Sequence, residues 1–336
     1  MGLTRAMLAF CVFMSHLLSN GVWLNPRSGE VAVLSFFVLS GYILSYVHAD
    51  RFVASRSILS DSVRFYFLRW LTLVRPYALV VASYLALIVL QTILSGKPYR
   101  PLDMYMSELP NWSVARQAGF AASNVMLVGL NMFGWRALVD PPTWTMGLEA
   151  LFWLTAIPLM RLRTTWLVIF AIAVQGLDMA FNDARSPILH FGYFMLGIIV
   201  FQQQQRIPPH LLAAWGRTAM IACPLVLLAM ISTNTEIGLQ GSPLVLAVAL
   251  PFLPKRAEAG WFDDLAGQCS YPFYLLHVPC MNIASAVMHR RAGDPITFTF
   301  GCAAFGIAVA LSWLIVRFVP RPSIAQLYRG WRTQRP

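Results

Sequence analysis

Long apolar stretches recur along the whole chain, and they constrain its fold more than any other feature of the sequence. Each is close to the ~17–25 residues that an α-helix needs to cross about 30 Å of hydrocarbon. Because backbone polar groups in a bilayer must be hydrogen-bonded within the protein, stretches of this length predict transmembrane helices. The ten stretches are residues 6–24, 31–48, 72–95, 144–160, 164–181, 187–203, 217–232, 238–253, 269–289 and 296–316.

The composition also indicates a membrane protein. Hydrophobic residues make up 58% of the 336 positions and charged residues 12%, which is about half the charged share of a soluble domain. A water-soluble domain this apolar could not cover its surface with polar groups. We therefore predict an all-α, polytopic membrane protein with about ten transmembrane helices. Residues 1–318 are assigned to the membrane-embedded domain and residues 319–336 to a basic cytoplasmic tail.

The distribution of basic residues predicts how these helices are oriented. Lys and Arg are concentrated in short clusters between the apolar stretches, as the positive-inside rule expects of cytoplasmic segments. With both termini in the cytoplasm, most of the 25 basic residues lie on the cytoplasmic side. The ambiguous stretch 119–133 is then predicted to be re-entrant or to lie on the surface, because a full crossing would move the later basic clusters outside.

Charge and cysteine patterns exclude two classes of partner. The net charge of +11 does not predict nucleic-acid binding, because the basic residues lie in clusters between helices and do not follow one face. The five cysteines have no paired or CxxC spacing, so the sequence predicts neither a disulfide framework nor a metal site.

Ionisable residues inside predicted helices are functional candidates because of their cost, and three stand out: His16, Glu149 and His277. Arg5 precedes His16 by 11 residues, or three helical turns plus about 20°, so both side chains share one face and lie about 16 Å apart along the axis. A lone buried histidine more often bonds a neighbouring carbonyl group. However, an arginine can bind phosphate, and an imidazole can move a proton. Their placement one below the other on a helix face is typical of a site for a long anionic cofactor.

Glu149 lies in a predicted span that follows Pro141 and Pro142. An uncompensated carboxylate there costs several kcal/mol, so it should be paired, protonated or exposed to water. His16 is a candidate partner.

A basic segment precedes the third predicted span. Residues 50–74 are predicted as a cytoplasmic loop whose arginines either set the topology alone or hold the phosphates of a nucleotide-like donor. The arginines are Arg51, Arg56, Arg64 and Arg69, with Arg75 at the start of the span.

Four sequence motifs follow one another along nearly the whole chain. They are Arg5 with His16; Phe-Phe-Val-Leu-Ser-Gly-Tyr at 36–42; Trp-Thr-Met-Gly-Leu-Glu at 144–149, followed by Phe152; and Cys-Ser-Tyr-Pro-Phe-Tyr-Leu-Leu-His at 269–277. Their order and spacing resemble acyltransferase family 3, the integral membrane O-acyltransferases of bacterial surface glycans and some antibiotics.

The resemblance implies an activity and a set of site residues. Members of this family take an acetyl or short acyl group from a cytosolic coenzyme A thioester and deliver it to a saccharide hydroxyl at the membrane. His16 is then catalytic, as a general base or a transient acyl carrier, and Glu149 orients its imidazole. Acetyl-CoA enters past Arg5, Arg69 and Arg75, and the substrate site is lined by Trp144, Tyr271 and His277.

The chain departs from the family pattern in two places. The family has a tight Arg-Arg-x-x-Arg run before the third span, whereas here Arg69 stands with Trp70 and Leu73, and Arg75 is the candidate replacement. The acidic residue that often precedes the Phe-Phe pair is replaced by Leu34 and Ser35.

Two other classes of function remain open from the sequence. A proton-coupled secondary transporter could use His16 and Glu149 as a relay, although transporters often show repeated halves and none is visible here. The other class is a flippase or an assembly partner that catalyses no reaction. The preferred hypothesis is an O-acetyltransferase in the bacterial inner membrane, in contact with membrane lipids. Its acceptor is a saccharide or lipid-linked saccharide, such as an exopolysaccharide intermediate, and no oligomeric state is predicted.

Overall fold

Helices form the described part of the chain, which in this computed structural model comprises residues 1–17, 27–53, 57–95, 112–127, 144–181, 187–232, 236–253, 260–288, 290 and 294–319. These residues contain no strand, which confirms the all-α prediction for them. Eleven α-helices are described: α1 (Gly2–Leu17), α2 (Arg27–Val53), α3 (Ile58–Ser95), α4 (Val114–Met126), α5 (Trp144–Arg161), α6 (Thr164–Phe181), α7 (Pro187–Gln204), α8 (Pro209–Ser232), α9 (Glu236–Ala249, continuing as a 3₁₀ turn over Leu250–Phe252), α10 (Trp261–Val287) and α11 (Phe298–Phe318).

Each of the ten apolar stretches overlaps one of these helices, and α4 overlaps the ambiguous stretch 119–133. By length and composition, four segments of the described residues are able to cross a membrane. The full set of ten spans and the cytoplasmic termini stay predictions. The basic tail lies outside the described residues beyond Val319, as do residues 128–133. The four segments are Ser28–Asp50, Ile58–Ser83, Pro209–Ile231 and Phe298–Phe318.

The loop predicted at residues 50–74 is wrong, because α3 already begins at Ile58 and continues through Pro76. Its apolar, span-length part is Ile58–Ser83. Arg69 therefore lies well inside a helix that is able to cross the membrane. The 38 residues of α3 correspond to about 57 Å at 1.5 Å per residue, nearly twice the thickness of the hydrocarbon core, so part of the helix must extend beyond it.

Apolar side chains between the arginines explain why the helix starts early. Leu59, Val63, Phe67 and Leu71 are all exposed and recur every four residues, so they form one stripe along α3. An exposed apolar stripe of this kind is compatible with lipid contact. A loop in water would not require one. Arg64 and Arg69 were a misleading sign of a loop, because they project from other faces of the same helix.

Glycines permit a close helix contact between α2 and α7. A Cβ atom on Gly41 would lie 2.1 Å from the carbonyl oxygen of Phe194, and one on Gly197 would lie 2.1 Å from that of Val38. Small residues at such crossings are typical of helix packing in membranes, where van der Waals contact replaces the hydrophobic effect. The crossing fixes α2 at the position of its Phe36–Tyr42 motif.

A second close contact fixes the start of α1 on α10. The Asp263 carboxylate accepts hydrogen bonds from the backbone N–H groups of Gly2 (3.0 Å) and Leu3 (2.8 Å) and lies 3.3 Å from the Met1 ammonium group. A carboxylate at a helix N-terminus satisfies N–H groups that have no partner within the helix. A Cβ atom on Gly2 would overlap the backbone of Asp263. The contact therefore sets the register of α1 against α10.

Helix α4 ends on the N-terminal half of α3. The Trp70 indole donates to the backbone oxygen of Val125 over 2.8 Å, and the Tyr66 hydroxyl donates to that of Met126. Buried Leu127 follows in the left-handed region, with φ of 64°. Two otherwise unsatisfied carbonyl groups at the end of the helix thus obtain donors from α3.

Candidate active site

A pocket opens between α1, α2, α3, α5 and α10, the helices that carry the four motifs together with α3. It holds about 750 Å³ of empty space, including the space at its mouth. The described residues that line it are Arg5, Val33, Phe36, Phe37, Leu39, Ser40, Ile43, Arg69, Thr145, Met146, Glu149, Ser270, Tyr271 and Tyr274.

Four of the residues predicted from sequence meet in this pocket: Arg5, Arg69, Glu149 and Tyr271. They come from four different helices, so the fold brings them together across a large separation in sequence. Arg5 and Arg69 supply two guanidinium groups, and Glu149 is the acidic residue among the described lining residues. The pocket is thus apolar in most of its wall and carries a small number of charged groups, as is typical of ligand sites.

Arg69 is held by an aromatic ring and keeps hydrogen-bonding capacity. Its guanidinium carbon lies 5.6 Å from the ring centroid of Trp153 on α5, within the range of a cation–π contact. Its Nε is buried and has no hydrogen-bond partner among the described residues. A buried N–H without an acceptor is costly, so a bound acceptor in the pocket would relieve a cost that the protein carries without one.

Glu149 is half-buried and is held by α2. Its Oε1 accepts a hydrogen bond of 3.2 Å from the Ser40 hydroxyl. Ser40 precedes Gly41, so the close α2–α7 crossing determines where this hydroxyl lies. The sequence suggested His16 as the partner of Glu149, whereas the described contact is with Ser40. The signal for Ser40 was its place in the 36–42 motif, one helical turn after the two phenylalanines.

Tyr271 and Tyr274 join α10 to the start of α5. The Tyr274 hydroxyl lies 3.0 Å from the hydroxyl of Thr145, and the Tyr271 hydroxyl lies 3.5 Å from the sulfur of Met146. Tyr274 and Thr145 are buried. Both lie within predicted motifs, yet the sequence did not single them out, because their contact becomes visible only when α5 and α10 are placed side by side.

The two histidines lie next to each other outside the pocket wall. The ring centroids of His16 and His277 are 5.1 Å apart. His16 is exposed near the end of α1, and His277 is completely buried. The Nδ1 of His277 donates to the backbone oxygen of Tyr274 over 2.5 Å. His277 therefore lies behind the pocket-lining Tyr274, although the sequence suggested that it lines the site itself.

Arg75 and Trp144 are not brought into the described pocket wall. Arg75 is exposed, and its position six residues after Arg69 turns it about 240° around α3. Trp144 begins α5, and its side chain lies outside the described part of the structure.

One comparison with known proteins matches almost the whole chain. A family model described as an acyltransferase domain matches residues 1–317. Neither a search of curated proteins nor a search of solved structures gave a match. The matched range contains every residue of the pocket and both histidines.

Proposed function

The chain belongs to acyltransferase family 3 and is a membrane acyltransferase, and from this premise we propose that it moves an acetyl or short acyl group from acetyl-CoA to a hydroxyl of a saccharide. The acceptor is an exopolysaccharide or other surface-glycan intermediate, free or lipid-linked, at the bacterial inner membrane. The family match confirms the resemblance that the four motifs indicate. Donor, acceptor and membrane are the parts that we add.

The pocket shared by Arg5, Arg69 and Glu149 is the observation that carries this proposal. Coenzyme A carries several phosphate groups, and guanidinium groups form paired, charge-assisted hydrogen bonds with phosphate oxygens. The unpartnered Nε of Arg69 supplies one such donor. The apolar and hydroxyl-bearing side chains in the rest of the wall suit the uncharged arm that links these phosphates to the thioester.

The length of α1 connects the donor site with the reacting atoms. A donor whose phosphates lie near Arg5 would extend its thioester along the face of α1 toward His16, about 16 Å further along the axis. As a general base, His16 takes the proton of the acceptor hydroxyl while its oxygen bonds to the acyl carbon. The carbon–sulfur bond breaks, and the proton passes to the departing thiolate. As an acyl carrier, His16 would first hold the acyl group covalently.

Turnover of radiolabelled acetyl-CoA by the purified protein, with a saccharide acceptor, tests the proposal. We expect label in the saccharide and an equal amount of free coenzyme A. Proton-coupled uptake into vesicles without acyl transfer would support the transporter hypothesis. Label on neither saccharide nor protein, with intact folding and a supplied acceptor series, would contradict the proposed function.

A further inference from the structure

His16 and His277 bring two of the motifs together at one point. α1 carries Arg5 and His16, and α10 carries the 269–277 motif, and the rings that end these motifs lie 5.1 Å apart between centroids. The contact between Asp263 and the start of α1 keeps the two helices in this register. The pair thus depends on packing that also positions Arg5 in the pocket.

The hydrogen bond of His277 fixes which of its ring nitrogens carries hydrogen. A backbone carbonyl oxygen can only accept, so the Nδ1 that bonds Tyr274 must be the N–H of the ring. In the neutral imidazole, Nε2 is then left as a lone-pair acceptor. This Nε2 is buried and has no hydrogen-bond partner among the described residues. A buried acceptor of this kind favours the approach of a donor.

His16 is well placed to supply that donor. Ring centroids 5.1 Å apart allow facing nitrogens to approach to about 3 Å after a turn of the exposed His16 ring, which is an ordinary hydrogen-bond length. We propose that His277 is a positioning residue: its Nε2 accepts a hydrogen bond from one N–H of His16. The second nitrogen of His16 is then the lone pair that takes the proton of the acceptor hydroxyl.

This assignment rests on the proposed function, in which His16 is the base, and it gives His277 a role other than substrate contact. When His16 takes the proton, its N–H becomes a charged donor and the hydrogen bond to His277 becomes stronger. The bond therefore stabilises the form of His16 that develops during the reaction. Because Tyr274 lines the pocket and its carbonyl oxygen orients His277, the pair is connected to the donor site through one residue.

Two substitutions of similar size test the hydrogen bond. His277→Gln retains an acceptor oxygen on the side chain, whereas His277→Leu retains volume without an acceptor. We expect His277→Leu to lower kcat by about 100-fold, within the range that general-base catalysis contributes, with the KM for acetyl-CoA unchanged. His277→Gln should keep about a tenth of the wild-type kcat or more. A purely structural role would affect both variants alike and would lower the Tm rather than separate kcat from KM.

Nitrogen-15 NMR of histidine-labelled wild-type protein gives an independent measurement if His277→Leu does not fold. We expect His277 as the Nδ1–H tautomer, with a scalar coupling from its Nε2 to a His16 nitrogen. Absence of the coupling, or equal kcat values for the two variants, would overturn the proposal. Measuring the kcat of His16→Gln separates the positioning role of His277 from the proposed function. An inactive His16→Gln beside a fully active His277→Leu would reject the positioning role alone. Wild-type protein without acyl transfer would reject the proposed function.

Discussion

A substitution of Arg69 is the most direct test of donor binding. Its guanidinium lies on Trp153 at the pocket, and a charge-assisted hydrogen bond to phosphate is worth about 1.5–3 kcal/mol. We expect Arg69→Ala to weaken acetyl-CoA binding by about ten- to a hundredfold in equilibrium dialysis. Arg69→Lys should recover only part of the loss, because an ammonium group lacks the planar, paired donors.

Arg161→Ala is the matched control, since Arg161 is exposed at the end of α5 and away from the pocket. Arg5→Ala, measured alone and together with Arg69→Ala, adds a second test. If both guanidinium groups hold the same phosphates, their effects should not add, because neighbours that share a partner are coupled. Unchanged affinity in both single variants would remove the donor site from this pocket.

His16 carries the chemical step in the proposed mechanism. A general base contributes about two to four orders of magnitude in rate, so His16→Gln should lose that much kcat while donor binding and membrane insertion persist. Glutamine preserves a hydrogen-bonding side chain of similar reach, and a structural histidine would therefore tolerate the change. A His16→Gln protein that retains most of its acyl transfer would contradict the catalytic role, whereas trapping of labelled acyl-protein in the wild type would favour the acyl carrier over the base.

Sequence alone identified several of these residues but not their partners. Arg5, Glu149 and Tyr271 stand out because charge or a motif places them inside apolar segments. Trp153 under Arg69, and Ser40 beside Glu149, are unremarkable by type, and their importance follows from which helices meet. Helix neighbours depend on packing between distant segments, and a single sequence carries no direct signal for that.

At the scale of the helices, the α1–α10 contact should be sensitive to pH through Asp263, which lies before the predicted span 269–289. Burial raises the pKa of this carboxyl, but the hydrogen bonds from the Leu3 and Gly2 N–H groups, together with the Met1 ammonium charge, bring the pKa below its ordinary value. The contact therefore contributes stability above the ordinary pKa of about 3.9 and loses it as the pH falls through the lower, folded-state pKa.

The Tm of purified protein in detergent, measured between about pH 3 and pH 6, tests this contact. Asp263→Ala should lower the Tm at pH 6, because two backbone N–H groups at the start of α1 lose their acceptor. The difference from the wild type should shrink as the pH falls below the ordinary pKa of about 3.9, because the carboxyl of the unfolded chain takes up a proton there and the contact loses its stabilising effect. A difference that stays constant over this range would show that the charge of Asp263 is not what holds α1.

The α2–α7 crossing links packing to the site. Gly197→Ala would place a Cβ atom 2.1 Å from the Val38 carbonyl oxygen, so the helices must separate. Overpacking of this kind costs about 1–3 kcal/mol, and the shift of α2 would draw the Ser40 hydroxyl away from Glu149. We expect a lower Tm and a reduced kcat/KM for acyl transfer. Gly306→Ala is the control, because among the described residues no atom outside its own stretch of helix lies within 4 Å of its Cβ position. Equal effects of the two substitutions would contradict this interpretation.

Helix positions were the most predictable part of the fold, and the start of α3 shows the limit. A run of about twenty apolar residues has few alternatives in a membrane, so ten stretches were found as helices. At Ile58 the arginines counted against a helix, although the apolar residues between them form one continuous exposed face. Hydropathy averaged over a window cannot distinguish an arginine that turns inward to a pocket, as Arg69 does, from one that lies in a loop.

For the whole molecule, the orientation predicted from the basic residues assumes that the segment containing α4 does not cross the membrane completely. With the N-terminus inside and 119–133 re-entrant, the connections at Arg163 and Arg206 face the cytoplasm, and the connection at Asp294 faces outward. Single cysteines at these positions, in a variant without the five native cysteines, should react with a membrane-impermeant maleimide accordingly. In intact cells only the Asp294 position should be labelled, and in inverted vesicles the other two.

The maleimide labelling also decides whether the segment that contains α4 crosses the membrane. The last residues of α4 contact Tyr66 and Trp70, which lie within Ile58–Ser83, the segment of α3 that is able to cross the membrane. A segment packed there could also cross completely, and every connection after it would then change sides. Labelling of Arg163 and Arg206 positions in intact cells would establish that crossing and would place the C-terminus outside. Donor entry would then need a new account, because the connections of α5 to α11 would all be inverted relative to Arg5. Labelling of the Asp294 position alone would support the ten-span orientation and keep Arg5 and Arg69 accessible to a cytosolic donor.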